Sequence, residues 1–348
     1  MLLAVAGVVV FSFWLFSPEL RRLLNGAQPA TAAPQALKVA VLGDSDSHFY
    51  GDYVDGKRRG NDYHAYTFVW TDIWARLRPG EVDLGALAHW GSDYRLARGR
   101  QFLGLSSRAP HKYDYENSYA VSGLKCRSLL QSWPYQARWL VDRVRANTSW
   151  NEGLVVIRIG VNDIGQLKHQ REYAETGYAG GIVETVESCI AQIREAASSL
   201  LSANPSLRIA LVGLARDYNL TMDEPAWSNK EWLINIDSVL TEYDRQLKDV
   251  ASENPRIAFI NDFGWHVDRV GSRLVREPAS YFAIGNVKIS NTLGDHPSNL
   301  VLADYHAGTI YHGLWLNHLI AQLNVHFDLG LGQLADSEIV QLIEGALG

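Results

Sequence analysis

Short apolar runs alternate along this chain with longer segments in which apolar residues recur at helical spacing. The apolar runs cover residues 37–42, 118–121, 154–159, 208–212 and 256–260. The periodic segments cover residues 66–78, 123–145, 181–201 and 229–251. An apolar run of about four to eight residues is typical of a buried strand, and the helical period is typical of an amphipathic helix. The alternation predicts an α/β fold, in which a parallel sheet carries helices on both faces.

Two regions depart from this alternation. Residues 89–116 are polar, rich in Tyr and Arg, and without a clear period, so we predict a long loop over one face. Residues 263–303 contain an alternating stretch at 281–290, which predicts a hairpin-like insertion. A final long helix is predicted at 309–327, followed by a short one at 336–347.

The N-terminal residues form a separate predicted region. Residues 2–16 are almost entirely apolar, although a spanning helix needs about 20 residues. We predict that residues 1–36 are a signal or membrane anchor followed by an Ala/Pro-rich linker, and that residues 37–348 form a single domain. Cleavage of a signal stays an alternative. Arg21 and Arg22 favour a cytoplasmic C-terminal side, which conflicts with export and leaves the orientation open.

The composition excludes some classes of function. The chain has 348 residues, of which 47% are hydrophobic and 20% charged, as in soluble globular proteins. Its net charge is -6, whereas a nucleic-acid binder needs a basic face, so no nucleic-acid partner is expected. Cys126 and Cys189 are too few for a structural zinc site or a disulfide scaffold. They pair if the chain is exported, or they remain free thiols.

The first candidate for chemistry is Gly43-Asp44-Ser45, directly after the first predicted strand. A serine at a strand-to-helix turn points its hydroxyl out of the sheet edge. Its backbone N–H then faces the same pocket, near the positive end of the next helix. Taken alone, the tripeptide is also ordinary turn chemistry.

Two further signals follow later predicted strands. Gly123 comes after residues 118–121, where a glycine lets the backbone approach a ligand and donate an N–H. Asn162, in Gly160-Val161-Asn162-Asp163, can aim its side-chain NH₂ into a cleft as an oxyanion donor. Taken individually, a helix-start glycine and a simple Asn/Asp turn explain them better than an oxyanion role does.

A serine nucleophile needs a histidine base that is oriented by an acceptor. His306 stands directly before the last predicted long helix, and Asp304 precedes it by two residues. Asp295 and His296 form a second candidate pair upstream. We prefer His306 because the helical pattern begins right after it, and Asp304 as its partner, with Asp295 as the alternative.

Taken together, these elements resemble the SGNH/GDSL hydrolases over roughly residues 38–326. The resemblance implies a flavodoxin-like three-layer α/β/α fold and neither metal nor cofactor. It also implies a Ser45–His306–Asp304 triad, with the oxyanion hole formed by the N–H groups of Ser45 and Gly123 and the Asn162 side chain. One departure is that the family usually has Asp-x-x-His followed by Pro, whereas Ala303 stands at the expected Asp position.

The implied function is that of a serine esterase acting outside the cytoplasm. It would hydrolyse or transfer an acyl group, such as acetyl, from an ester on a carbohydrate or related small molecule, through an acyl-Ser45 intermediate. Residues 2–16 would provide any membrane attachment. The sequence does not determine the oligomeric state.

Two alternative functions remain open. The altered Asp/His spacing and the 11 Trp residues are compatible with a non-catalytic carbohydrate-binding descendant of the fold. A metallophosphatase is the other alternative, suggested by Asp46, His48, Asp52, Asp55, Asn61 and Asp62. Ligands in such enzymes converge from several strands, whereas these residues all fall within positions 46–62.

Overall fold

A computed structural model describes residues 36–54, 56–103, 107–145, 147–215 and 228–347. The predicted signal or anchor at residues 2–16, and the linker up to residue 35, lie outside the described residues. Within the described ranges, no helix combines the length and apolar character that crossing a membrane requires. Membrane attachment through residues 2–16 therefore stays a prediction.

Within the described ranges, ten strands form one large and two small sheets. In chain order they are β1 (Leu37–Gly43), β2 (Val82–Asp83), β3 (Leu87–Trp90), β4 (Lys112–Tyr115), β5 (Leu154–Arg158), β6 (Arg208–Val212), β7 (Ile257–Ile260), β8 (Tyr281–Ile284), β9 (Val287–Leu293) and β10 (Asn299–Val301).

The described α-helices cover both faces of the large sheet. They are α1 (Trp70–Leu77), α2 (Tyr94–Phe102), α3 (Gln136–Arg145), α4 (Leu167–Tyr173), α5 (Gly181–Ala203), α6 (Lys230–Ser252), α7 (Asp262–Arg269), α8 (Thr309–Phe327) and α9 (Asp336–Gln341).

The large sheet is parallel throughout and has the order β2-β1-β5-β6-β7. Counted along the chain among these five strands alone, the order is 2-1-3-4-5. This is the flavodoxin-like order, in which a ligand crevice opens where neighbouring strands connect in opposite directions. Here that point lies between β1 and β5. The predicted α/β class and flavodoxin-like sheet are confirmed.

Alternate residues of β1 pack into two separate hydrophobic cores. Val39 and Val41 pack into the layer built with α1 and α8, whereas Ala40 and Leu42 pack into the layer of α3, α5 and α6. All four side chains are fully buried. Burial on both faces explains why the strand is a continuous apolar run rather than an alternating one. The three layers predicted from the sequence are therefore present.

Two predicted elements were wrong in detail. The predicted loop at 89–116 contains the second half of β3, the polar helix α2 and β4, and β3 pairs antiparallel with β4. The predicted helix at 123–145 divides into a short 3₁₀ turn, Cys126–Leu129, and α3. Pro134 lies between them and has no N–H to continue a helical ladder.

Residues 118–121, predicted as a strand, run beside β1 without forming a full ladder. Tyr119 and Val121 donate their backbone N–H groups to the carbonyls of Val41 (2.8 Å) and Gly43 (3.2 Å). Residues 263–303 include most of α7 and a three-stranded sheet of order β10-β9-β8, in which β8 and β9 are antiparallel. The division at residue 36 and the boundaries of the insertion stay predictions.

The two cysteines, whose pairing the sequence left open, form a disulfide. Cys126 and Cys189 have Cα atoms 5.1 Å apart. The bond joins the 3₁₀ turn before α3 to α5, and both residues are buried. It therefore fixes the loop that follows Gly123 to the helical layer beneath it.

Candidate active site

The candidate site lies at the carboxyl ends of β1 and β5, where the sheet order opens a crevice. Ser45 follows β1 by two residues, and Asn162 follows β5 by four. A cavity of about 470 Å³ occupies the crevice, and its lining includes Ser45, Asn162, His306, Asp304 and Arg158. The topology thus brings together side chains from three distant parts of the chain.

The local sequence explains how Ser45 is presented. A Cβ at Gly43 would lie 2.5 Å from the Arg158 carbonyl oxygen, so only glycine fits between β1 and β5 here. The Asp44 carbonyl accepts the N–H groups of Ser47 (3.2 Å) and His48 (3.0 Å), which starts a helical turn immediately after the strand. Ser45 is 5% exposed. Among the described residues, none hydrogen-bonds to its hydroxyl.

The Asp44 carboxyl closes the same turn. Its Oδ1 accepts the Asp46 N–H at 3.1 Å. Burial raises the pKa of Asp44, and the negative charge of Asp46 raises it further. A carboxyl that is this deeply buried and bonded to the local backbone supports the turn, and it does not line the cavity.

Gln136 holds the end of β1 in a way that the sequence did not suggest. Its Oε1 accepts the Gly43 N–H at 2.8 Å, and its Nε2 donates to the Gly43 carbonyl at 2.9 Å. Gln136 is 1% exposed and begins α3. Both polar groups of the residue two positions before Ser45 are therefore satisfied by one side chain.

Asn162 lies on a tight turn, Val161–Gly165, after β5. Its Nδ2 donates to the Leu124 carbonyl at 2.9 Å, and its Oδ1 accepts from Gln166 Nε2 at 2.5 Å. The next residue, Asp163, accepts the Cys126 N–H at 2.9 Å. The turn after β5 is thus tied to the loop around Gly123, and the amide keeps a second N–H for another acceptor.

Gly123 lies beside this turn without lining the cavity. Its φ of 78° is in the left-handed region that favours glycine, and no atom lies within 4 Å of where a Cβ would be. The residues just before it pair with β1 through Val121. Its N–H is therefore carried on a backbone reversal close to the end of β1.

His306 and Asp304 approach the cavity from the loop between β10 and α8. His306 Nδ1 lies 3.1 Å from Asp304 Oδ1 and 3.1 Å from the Asp304 carbonyl oxygen. Burial would raise the pKa of Asp304. The hydrogen bond from His306 and the charges of His306 and Arg59 outweigh it and lower that pKa to about 2. Asp304 is therefore ionised wherever His306 needs an acceptor.

Arg59 touches this pair and was missed by sequence reasoning. Its Nη1 contacts both Asp304 Oδ2 and His306 Nδ1, and its Nη2 donates to Ser122 Oγ at 3.3 Å. The guanidinium lies 5.1 Å from the centre of the Tyr50 ring. Nothing in the polar stretch around residue 59 distinguishes this arginine from its solvent-facing neighbour Arg58.

The alternative pair, Asp295 and His296, lies outside the cavity lining. His296 Nδ1 bonds with Ser298 Oγ at 2.7 Å, and its ring packs 5.0 Å from that of Tyr63. Asp295 accepts from Asn61 Nδ2 at 2.5 Å and from the Ala303 N–H at 3.1 Å. Its partners are loop groups rather than an imidazole.

Arg158 supplies a buried positive charge at the cavity, which was also missed. It ends β5, its Nη1 donates to the Asp46 carbonyl at 3.2 Å, and its guanidinium lies 4.1 Å from the centre of the Trp315 ring. Asp262 Oδ2 lies 3.7 Å away. Arg158 is the one charged residue in the apolar run 154–159, and that was the available signal.

Among the residues that suggested a metallophosphatase, His48, Asp52 and Asn61 are engaged in other contacts. His48 bonds with Asp52 (3.1 Å) and Ser122 (2.9 Å). Within the described ranges, Cys126, Asp163 and Cys189 form the single cluster of three potential ligands, and its two sulfurs are bonded to each other. Asp55 lies outside the described residues.

No protein-family model matches the chain, and no curated protein matches it either. Several solved structures do. An extracellular lipase from Streptomyces rimosus is 14% identical, with 82% of this chain and 100% of the lipase covered and a TM-score of 0.44. A variant of an acetyl-xylooligosaccharide esterase from Geobacillus is also 14% identical, covering 88% and 98%, with a TM-score of 0.39.

A protein from Parabacteroides merdae described as a GDSL-like lipase is 15% identical, with 86% of this chain and 99% of that chain covered. Its TM-score is 0.39. Likenesses with TM-scores below 0.5 do not bear on the activity of this chain. Its function has to be inferred from its own side chains.

Proposed function

We propose that this protein is a serine esterase in which Ser45 is the nucleophile and His306 the general base. The observation that carries the proposal is that Ser45, Asn162 and His306 line one cavity at the carboxyl edge of the sheet. In an open α/β sheet, this is the edge where ligands bind. Asp304 Oδ1 lies 3.1 Å from His306 Nδ1. In a catalytic triad an acceptor holds this nitrogen of the base.

The proposed reaction needs only these side chains. In the reacting state that we propose, Arg59 keeps only its bond to Asp304, and His306 donates Nδ1–H to Asp304. The Nε2 lone pair of His306 then takes the Ser45 proton as Oγ attacks the ester carbonyl. The alkoxide then leaves with the proton held by His306, and an acyl-Ser45 ester remains. Water, deprotonated by the same imidazole, releases the acid. A sugar hydroxyl in place of that water would make the reaction an acyl transfer.

We propose that three N–H groups stabilise the oxyanion: those of the Ser45 and Gly123 backbones and the free N–H of Asn162 Nδ2. Each such donor, aimed at the developing charge, typically contributes about 2.7–4 kcal/mol. The ties between Asn162 and Leu124, and between Asp163 and Cys126, support this assignment because they hold two of the donor-bearing loops together.

The substrate that we propose is an acyl ester, such as an acetyl ester, on a carbohydrate or a related small molecule. Tyr305 and Tyr311 line the cavity, and a tyrosine ring can pack against the apolar face of a sugar. Gln166, Gln170 and Arg158 line it as well and offer hydrogen-bond partners for hydroxyl groups. The proposed location is extracytoplasmic, which the Cys126–Cys189 disulfide supports because such bonds persist in oxidising compartments.

Hydrolysis of short-chain p-nitrophenyl esters tests the proposal. Wild type is compared with Ser45→Ala, His306→Ala and His296→Ala, each checked for folding by near-UV circular dichroism. Ser45→Ala and His306→Ala are each expected to lose activity by roughly 10⁴-fold or more. His296→Ala is expected to retain it. Loss with His296→Ala but not with His306→Ala would refute the proposed base.

One observation favours the non-catalytic alternative enough to keep it. Within the described residues, the Ser45 hydroxyl has no hydrogen-bond partner, so His306 does not bond to it in this conformation. A folded wild type that binds acetylated oligosaccharides and hydrolyses neither them nor p-nitrophenyl esters would establish that alternative.

A further inference from the structure

Ser122, directly before Gly123, is bonded to a buried histidine outside the proposed triad. His48 Nδ1 accepts from Ser122 Oγ at 2.9 Å and from the Ser122 backbone N–H at 3.3 Å. His48 Nε2 bonds with Asp52 Oδ2 at 3.1 Å. A single ring nitrogen therefore holds both the side chain and the backbone of the residue that precedes the proposed oxyanion donor.

The charges around His48 determine the direction of these hydrogen bonds. Burial would raise the pKa of Asp52, but hydrogen bonds from His48 and from the Tyr113 and Tyr53 backbones lower it, so Asp52 is a carboxylate. Burial lowers the pKa of His48. A neutral imidazole that donates Nε2–H to a carboxylate has a bare lone pair at Nδ1. Ser122 must therefore donate both its O–H and its N–H to that lone pair.

His48 also completes a row of contacts along residues 116–123, which we call the edge segment. One edge of this segment bonds to β1 through Tyr119 and Val121. On the other edge, Arg108 donates to the carbonyls of Glu116 and Ser118, and Lys112 donates to that of Ala120. These side chains occupy the positions from which a neighbouring strand would hydrogen-bond to the backbone of the edge segment. His48, which bonds to Ser122, is the last residue in this row.

The cations in this row are themselves buried. Lys112 is 4% exposed and lies 2.5 Å from Asp114 Oδ2. Burial lowers its pKa to about 8, although the charge of Asp114 opposes that shift. A buried ammonium or guanidinium group is retained only where its N–H groups are used, and here they bond to backbone carbonyls of the edge segment.

We propose that His48, oriented by Asp52, is a positioning residue that fixes the Ser122–Gly123 turn so that the Gly123 N–H points at the oxyanion. This inference rests on the proposed esterase function. Ser122 extends the arrangement further, because its Oγ accepts from Arg59, which in turn contacts Asp304 and His306. One polar chain thus connects the donor turn to the proposed base.

The test exploits the difference between the two ring nitrogens. His48→Asn leaves an acceptor near the position of Nδ1, whereas His48→Gln places its amide near Nε2 and leaves Ser122 without an acceptor. His326→Gln and His326→Asn, on the exposed end of α8, are the matched controls. Steady-state kinetics on p-nitrophenyl esters is combined with hydrogen–deuterium exchange of the peptide that contains residues 122–124, both on the full chain.

We expect His48→Gln to lower kcat about tenfold with KM nearly unchanged. This is less than the roughly 10²–10³-fold typical of removing a donor outright. Exchange at 122–124 should accelerate in the same variant, and His48→Asn should restore both readouts to within a few-fold of wild type. Ser122→Ala, which removes only the O–H, should show a weaker form of the same change and serves if His48→Gln does not fold.

Equal effects of His48→Gln and His48→Asn would overturn the inference, and so would unchanged exchange in His48→Gln. Labelling of Ser122 by a fluorophosphonate in Ser45→Ala would overturn it too, because Ser122 would then be a nucleophile rather than a support. Hydrogen–deuterium exchange at residues 122–124 can be measured whether or not the protein has esterase activity. Absence of esterase activity in wild type would therefore refute the proposed function while the exchange contrast still decides the role of His48.

Discussion

The two halves of the candidate site are built differently. Ser45 and Asn162 follow strands in the middle of the parallel sheet, and both are about 95% buried. Asp304 and His306 lie on a loop between a short edge strand and α8, with side chains 49% and 22% exposed. The nucleophile side is fixed by the sheet, whereas the base side is fixed by contacts between loops.

Different contacts hold the two sides of the site in position. On the sheet side, Gln136 attaches the end of β1 to α3, and the disulfide attaches the loop after Gly123 to α5. On the loop side, Arg59 contacts both members of the acid–base pair. Substitutions on the sheet side should therefore lower catalysis and stability together, and those on the loop side should lower catalysis alone.

Asn162→Ala should have the largest effect among the following variants. It removes a proposed oxyanion donor, so kcat should fall by about 10²–10³-fold with little change in KM. The Leu124 carbonyl also loses its donor, which should lower the thermal midpoint. Asn151→Ala, at an exposed asparagine, is the control. Steady-state kinetics in which Asn162→Ala retains wild-type kcat would exclude Asn162 from the oxyanion hole.

Asp304→Asn should lower kcat by about 10–100-fold. That is less than the roughly 10⁴-fold known for a fully buried triad aspartate, because the Asp304 side chain is half exposed and its charge is screened. The thermal midpoint should barely move. Asp295→Asn, at the alternative carboxylate, should leave kcat within a few-fold of wild type. A larger kcat loss in Asp295→Asn than in Asp304→Asn would reverse the assignment.

Gln136→Leu tests the sheet side through stability. The Gly43 N–H would be left buried without an acceptor, which costs about 1–3 kcal/mol of unfolding free energy in urea titrations. The control is Gln192→Leu, since Gln192 is equally buried and its Oε1 has no hydrogen-bond partner among the described residues. Similar losses in both variants would show that the bonds to Gly43 contribute nothing specific.

The last expected effect is a pH dependence of stability that arises beneath the cavity. Burial raises the pKa of Asp262 to about 7, although the charge of Arg158 opposes the shift. The folded state then holds more protons than the unfolded chain between about pH 4 and pH 7, so stability falls as pH rises through that window. Asp262→Asn should flatten this dependence, and Asp268→Asn, at an exposed position, should not. Parallel pH curves for wild type and Asp262→Asn would contradict the prediction.

The sheet side was also the more predictable half. Gly43-Asp44-Ser45 and Gly160-Val161-Asn162-Asp163 directly follow apolar runs, so strand position and chemistry could be read together. Parallel topology then places strand ends on one edge without knowledge of any side-chain contact. Residues 89–116 were misread because α2 lacks an apolar stripe, and helical periodicity is recognised only from such a stripe.

What the sequence could not provide were contacts between distant residues. Gln136 bonds to a residue 93 positions away, and Arg59 to one 245 positions away. Neither occurs in a motif, and each looks like an ordinary residue of a helix or a polar loop. His48 stood out only as an element of a metallophosphatase pattern, although its described contacts are with Ser122 and Asp52.

The most direct test of the account is active-site labelling with a fluorophosphonate, followed by peptide mapping of the full chain. We predict a single adduct on Ser45 in wild type, no adduct in Ser45→Ala, and labelling of His306→Ala slowed by at least about a hundredfold while His296→Ala reacts at the wild-type rate. A folded wild type that is labelled at another serine, or at none, would contradict the claim that Ser45 and His306 form one catalytic unit.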